Sequence, residues 1–210
     1  MYLTKKVMNK RPKQGLFWKP NLSGNTIFWN GECVVKSYGS RLDHYYREYA
    51  LLKKLKNTPL PAVLDSTITG ELHMEYIDGI NGKEVAEIGK AIILLKEMGK
   101  FLHKLHSISV EDVDGILDGK GNVIVHGDFA YYNCIFNNDC EKIIAVLDWE
   151  EAYLGDAITD LAWCEWQFLN KFPQHKWAIS NLFDSYGNTP NWDLRQQAVQ
   201  NRLVELQNRM

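Results

Sequence analysis

The sequence predicts an α+β fold in two lobes, a small β-rich N-terminal lobe over residues 1–78 and a short, mostly helical C-terminal lobe over 79–210. Two patterns carry this. Up to about residue 78, β-prone runs broken by turn residues surround a single helical stretch; beyond it, apolar residues recur at helical spacing almost to the end. The linking segment, near Asp78 to Gly82, is polar and contains two glycines.

The N-terminal runs read in order as GLFWKP, NLSGN, TIFW and ECVVKSY. Asn30 and Gly31 stand between the last two, and an Asn-Gly pair there predicts a two-residue type I′ hairpin turn, because both central positions need positive φ. SRLDHYYREYALLKKLKN then predicts a helix, with Ser40 as cap, Asp43 as its capping-box partner, and Asn57 and Pro59 at its end. PAVLDSTITGELHMEYIDG predicts two further strands about a turn at Gly70. A long helical stretch, NGKEVAEIGKAIILLKEMGKFLHKLHSI, follows, with Val85, Ile88, Ile92, Leu95, Leu102 and Leu105 as its apolar stripe. VIVHGDFAYYN, CIF, NNDCEK and IIAVLDW predict a loop and a hairpin, and helices are expected beyond Asp156.

Twenty-four basic and 26 acidic residues leave a formal charge of −2, so no global field recruits nucleic acid or an anionic membrane. Lys5, Lys6, Lys10, Arg11 and Lys13 read as a solvated terminal segment. Basic residues at the N-terminus are not followed by an apolar run, which leads to the expectation of a cytoplasmic protein. Cys33, Cys134, Cys140 and Cys164 lack metal-site spacing and read as small core residues.

Folding the hairpin at NNDCEK brings Asn133, before CIF, beside Asp148, after IIAVL. An amide oxygen and a carboxylate then face one point, a donor pair suited to Mg²⁺ beside a nucleotide. Asp128, five positions before Asn133, lies in the loop entering the same hairpin and is placed to accept a proton near that metal. On the predicted N-terminal helix, Glu48 interrupts an apolar stripe and needs a cationic partner.

His126, Asp128 and Asn133 in HGDFAYYN resemble the catalytic loop of protein-kinase-like enzymes. With Gly127 between His126 and Asp128, and with Asp148-Trp149, Gly155-Asp156 and Asp160-Leu161-Ala162 following in order, the sequence looks like the aminoglycoside phosphotransferase and choline kinase branch. The resemblance implies a protein-kinase-like fold, ATP or GTP as phosphoryl donor, Mg²⁺, and a hydroxyl-bearing small molecule as acceptor. It implies Asp128 as catalytic base, Asn133 and Asp148 as metal ligands, and Lys36 at the α- and β-phosphates in a pair with Glu48. Ser23, Gly24 and Asn25 fall where the phosphate loop is expected, and this loop departs from the glycine-rich pattern. Met74 would line the adenine pocket, and backbone groups from Glu75 to Ile77 would bond the base. Asp160 is expected to brace the catalytic loop, and His103 and His106 to serve packing or capping.

A nucleotide-binding module that regulates a partner is the second reading, against which the intact Lys36, Glu48, Asp128, Asn133 and Asp148 set argues. A protein kinase is the third, but D-F-G and A-P-E are missing from the expected activation segment. Seven acids against two bases across Asp148 to Asp184 favour a cationic acceptor, such as an aminoglycoside or another amine-bearing alcohol. Oligomeric state is left open by the sequence.

Overall fold

A computed structural model describes residues 17–18, 25–55, 58–60, 63–64 and 68–208. The basic cluster at Lys5 to Lys13, the loop residues Ser23 and Gly24, and Asn57 lie outside the described residues. The α+β architecture expected from the sequence is observed.

Five antiparallel strands form the first sheet, in the order β1 (Phe17–Trp18), β2 (Thr26–Trp29), β3 (Val34–Ser37), β5 (Glu71–Met74), β4 (Val63–Leu64). One helix, α1 (Leu42–Lys54), is inserted between β3 and β4. The β2–β3 hairpin pairs Trp29 with Val34, so four residues rather than two make its loop. Asn30 Oδ1 accepts from the N–H groups of Glu32 and Cys33, at 2.9 and 2.8 Å, and only Gly31 takes a positive φ, 107°. The amide side chain thus builds the turn that backbone conformation was expected to build. Ser40 does not cap α1 either. The helix opens after Arg41, with no side-chain cap.

The stretch read as one long helix is two, α2 (Gly82–Glu87) and α3 (Ala91–His106). Gly89 lies at φ 84°, its N–H bonds to Ala86 O at 3.0 Å, and Lys90 N–H bonds to Val85 O at 3.1 Å. That pair of bonds is a Schellman ending, which a glycine adopts without a Cβ penalty. Ile88 and Ile92, expected in the apolar stripe, therefore flank the break and are exposed, while Val85, Leu95, Leu102 and Leu105 are fully buried.

Strand β6 (Ile80–Asn81) pairs with β8 (Cys134–Phe136), which forms the expected hairpin with β9 (Ile143–Val146). A separate ladder joins β7 (Val123–Val125) to β10 (Tyr153–Gly155). Helices α4 (Ile158–Lys171), α5 (Ser180–Tyr186) and α6 (Trp192–Asn208) complete the chain. Helix α3 packs on α5, and α4 on α6. Leu51 and Leu72 of the first half and Leu94, Met98, Phe129, Trp149 and Phe168 of the second lie in one continuous core. All four cysteines are buried and unpaired. Among the described residues no helix is long and apolar enough to cross a membrane.

Candidate active site

The loop from β7 to β8 carries HGDFAYYN and is fixed from beneath by α4. Asp160, fully buried in the first turn of α4, accepts from His126 N–H at 2.8 Å and Gly127 N–H at 3.1 Å, and its Oδ2 lies 3.2 Å from His106 Nε2. Asp160 therefore braces the loop as expected. His106 serves packing: its other ring nitrogen meets the Tyr186 hydroxyl at 3.1 Å, while His103 Nδ1 meets Tyr186 O at 2.9 Å. Gly127 needs its missing side chain, since φ is 84° and an added Cβ would lie 2.4 Å from Glu151 O.

His126 is itself buried. Its Nε2 lies 3.0 Å from Leu147 O and so donates, which leaves Nδ1 to accept from Asp128 N–H at 3.2 Å. Asp128 is half-buried. Its Oδ1 accepts from Trp163 Nε1–H and from the Tyr132 hydroxyl, each at 2.9 Å. Asn133 Nδ2 donates to Asp128 O at 3.0 Å and approaches Oδ2 at 3.4 Å. Burial pushes the Asp128 carboxyl above its ordinary value, and the bonds from Trp163 and Tyr132 oppose that rise.

The hairpin sets Asn133 close to the Asp148 segment, with Cys134 opposite Val146 and Leu147 N–H bonded to Asn133 O at 2.9 Å. Asp148 adopts φ 67°, an uncommon conformation for a non-glycine residue, at the point where the chain turns from β9 toward the core. Across from it Lys36 Nζ lies 2.7 Å from Glu48 Oε2, bonds Asp148 Oδ1, and lies 3.1 Å from Glu150 Oε2. Burial would lower the Lys36 pKa, but the three carboxylates raise it well above the ordinary value. Glu48 also accepts from the Tyr38 hydroxyl and from Trp149 N–H at 3.0 Å. One carboxylate of α1 thereby holds the lysine of β3 and the backbone just after Asp148.

The remaining expected residues are divided. Met74 is buried at the end of β5, and the segment after it, Glu75 to Ile77, is without regular structure. Asn25, expected at a phosphate, is instead fully buried: it donates to Glu150 Oε2 and accepts from Arg41. Its amide is committed to a carboxylate and a guanidinium. The acid excess across 148–184 likewise does not form a wall of free carboxylates. Glu150 contacts Lys36 and Arg41, Glu165 contacts Arg195 at 3.2 Å, Glu151 lies 3.7 Å from Arg202, Asp156 Oδ1 accepts from Ile158 N–H at 3.0 Å, and Asp160 is under the loop.

Tyr132 and Arg41 are not singled out as site residues by sequence, while Trp163 reads there as a core aromatic rather than a sugar-stacking one, and Glu150 only as one of the acids counted across 148–184. Two carried a usable signal: Trp163 is three residues after Asp160 and so shares its helical face, and Tyr132 lies within the motif itself. Glu150 and Arg41 carried none, since their partners are distant in the chain.

The model of the phosphotransferase enzyme family matches residues 115–196, the stretch that holds the loop, Asp148 and Asp160. A curated relative, acyl-CoA dehydrogenase family member 10 of Mus musculus, is 27% identical over 56% of this chain and 16% of its own length. This chain thus spans about a sixth of that relative. Macrolide 2′-phosphotransferase MphH of Brachybacterium faecium superposes with a TM-score of 0.68 at 15% identity, over 93% of this chain and 87% of the other. An aminoglycoside phosphotransferase of Streptomyces rimosus, APH(3″)-Id, gives 0.66 at 16% identity, over 84% and 87%; it has also been solved in complex with ADP and streptomycin. These findings bear out the resemblance read from HGDFAYYN and the motifs after it, and the kinase-like fold that it implied.

Proposed function

We propose that this chain is a phosphotransferase that moves the γ-phosphoryl group of ATP to a hydroxyl of a small molecule. The observation that carries the reading is the buried Lys36–Glu48 pair at 2.7 Å, with Asp148 against the same ammonium and the Asp128 loop bonded to the strand that precedes Asp148. A lysine held by a helix carboxylate and facing a second, half-exposed carboxylate is a ready-made contact for a metal-bound triphosphate.

Asn133 and Asp148 fit Mg²⁺. Both offer hard oxygens, and the Asn133 amide nitrogen is committed to Asp128, which leaves its oxygen as the available donor. Bound there, Mg²⁺ would offset charge on the phosphate oxygens. Lys36 would exchange its bond with Asp148 for the α- and β-phosphates while Glu48 keeps it oriented. Asp128 would orient the acceptor hydroxyl and take its proton as the oxygen bonds to the γ-phosphorus and the bond to the β-phosphate oxygen breaks, giving ADP and a phosphate ester. Most of the acceleration comes from positioning and charge, because this transfer leaves the protein little covalent work.

The acceptor is a small hydroxyl compound, and an amine-bearing alcohol remains the leading class. Its support is the streptomycin complex of a similar structure rather than local acidity, because Glu150, Glu151 and Glu165, counted for that purpose, face arginine or lysine side chains. Labelled ATP and a panel of aminoglycosides, amino alcohols and neutral polyols test both levels. Label transferred to aminoglycosides supports the whole reading, transfer only to neutral polyols removes the amine, and a chain that neither binds Mg-ATP nor transfers label to any acceptor is not a phosphotransferase.

A further inference from the structure

Asp128 holds its two carboxylate oxygens in unlike surroundings. Oδ1 receives two donors, Trp163 Nε1–H and Tyr132 O–H, both at 2.9 Å. A carboxylate oxygen offers about two lone-pair sites, so these donors fill it. Among the described residues Oδ2 receives only the 3.4 Å approach of Asn133 Nδ2, whose main bond goes to Asp128 O at 3.0 Å.

The donors have little freedom to turn elsewhere. An indole N–H can only donate, and Trp163 is buried and stacked on Trp166 at a ring separation of 4.9 Å. Gln167 Nε2 donates to the Tyr132 hydroxyl oxygen at 3.2 Å, which directs the hydroxyl proton toward Asp128. Trp163 and Gln167 both project from α4, the helix whose Asp160 already holds the start of the loop.

We propose that Trp163 and Tyr132 are positioning residues that tie down Asp128 Oδ1, so that Oδ2, on the Asn133 side, is the atom that receives the acceptor's proton. The inference rests on the phosphotransferase reading above and adds which oxygen works and what aims it. The acceptor O–H proton passes to Oδ2, the electron pair it leaves forms the bond to the γ-phosphorus, and the β–γ bridging bond breaks with its pair retained by ADP. A hydroxyl approaching from the Trp163 side would meet an oxygen with no free lone pair.

The test uses Mg-ATP as donor and water as acceptor, so that no acceptor need be known, and compares Trp163→Phe, Tyr132→Phe and Asp128→Asn with each aromatic change repeated in the Asp128→Asn background. Each aromatic variant is expected to lower kcat by about tenfold while leaving KM for Mg-ATP within about twofold, and to have almost no further effect once Asp128 is Asn. Tyr132→Phe keeps the shape of a half-buried side chain, so the test survives if Trp163→Phe does not fold. Full turnover in Tyr132→Phe, a rise in KM for Mg-ATP that accounts for the loss, or an equal loss in the Asp128→Asn background would overturn the inference while Asp128→Asn alone remains impaired. Unimpaired Asp128→Asn would instead remove the base on which the functional reading depends.

Discussion

Around Lys36 two cations, Lys36 and Arg41, face three carboxylates, those of Glu48, Asp148 and Glu150. One carboxylate is in excess, so a bare triphosphate would meet a site of its own sign, and a nucleotide carrying a divalent cation would not. ATP is therefore expected to bind measurably with Mg²⁺ present and to lose most of its affinity when the metal is chelated; calorimetric titration that finds equal affinity in both conditions contradicts this charge balance. Asp128→Asn is expected to leave Mg-ATP binding nearly unchanged and to lower turnover by roughly 10²–10⁴, the share of a positioned general base. Wild-type turnover, measured where chemistry limits the rate, would take Asp128 out of that role. Because burial raises the Asp128 carboxyl, and a base must be ionised, the activity should decline on the acid side through that raised value. Residues at this scale were legible where one motif held them together. Asp128 and Asn133 are five positions apart, and the hairpin between Asn133 and Asp148 could be inferred from turn residues and alternation.

At the scale of elements, two glycines in the same helical stretch make opposite demands. Gly89 ends α2 at φ 84° with no described residue within 4 Å of an added Cβ, whereas Gly99 lies inside α3 where a Cβ would come 2.2 Å from Leu182 O of α5. Gly89→Ala should cost about 1–2 kcal/mol, from left-handed backbone alone. Gly99→Ala gains helix propensity of up to about 1 kcal/mol, but it pushes two packed backbones apart, an overpacking cost of roughly 1–3 kcal/mol or more. Chemical denaturation should show both variants destabilised, and a stabilised Gly99→Ala would mean that α5 can move away freely. The sequence gives periodicity but not this contrast, because glycine reads alike as a break and as a close approach. For the same reason the stretch from α2 to α3 reads as one helix, although Gly89 and Lys90 close the first of the two onto Ala86 and Val85.

For the whole molecule, what joins the first sheet to the helical half is a buried polar network that no local pattern announces. Asn25 and Glu150 are 125 positions apart and share a hydrogen bond; Arg41 reaches both, and Arg47 donates to Glu150 O at 2.9 Å. Burial alone would raise the Glu150 carboxyl, but Lys36, Arg41 and Asn25 outweigh it and hold the group below its ordinary value of 4.5. A carboxyl whose pKa is lowered on folding stabilises the folded chain fully above its unfolded value, and that contribution is lost as pH falls through the lowered folded value. Stability should therefore fall off below about pH 4.5 in step with protonation of Glu150. Glu150→Gln retains the shape and one acceptor but removes the charge opposite Lys36 and Arg41, so it should destabilise at neutral pH by about 1–3 kcal/mol. It should also flatten the acid limb, since the group that would be protonated is gone. Denaturation midpoints of both chains across the acid range decide the matter: curves that converge as pH falls support the network as the clamp between the two halves, and curves that stay parallel assign the acid loss to other carboxylates.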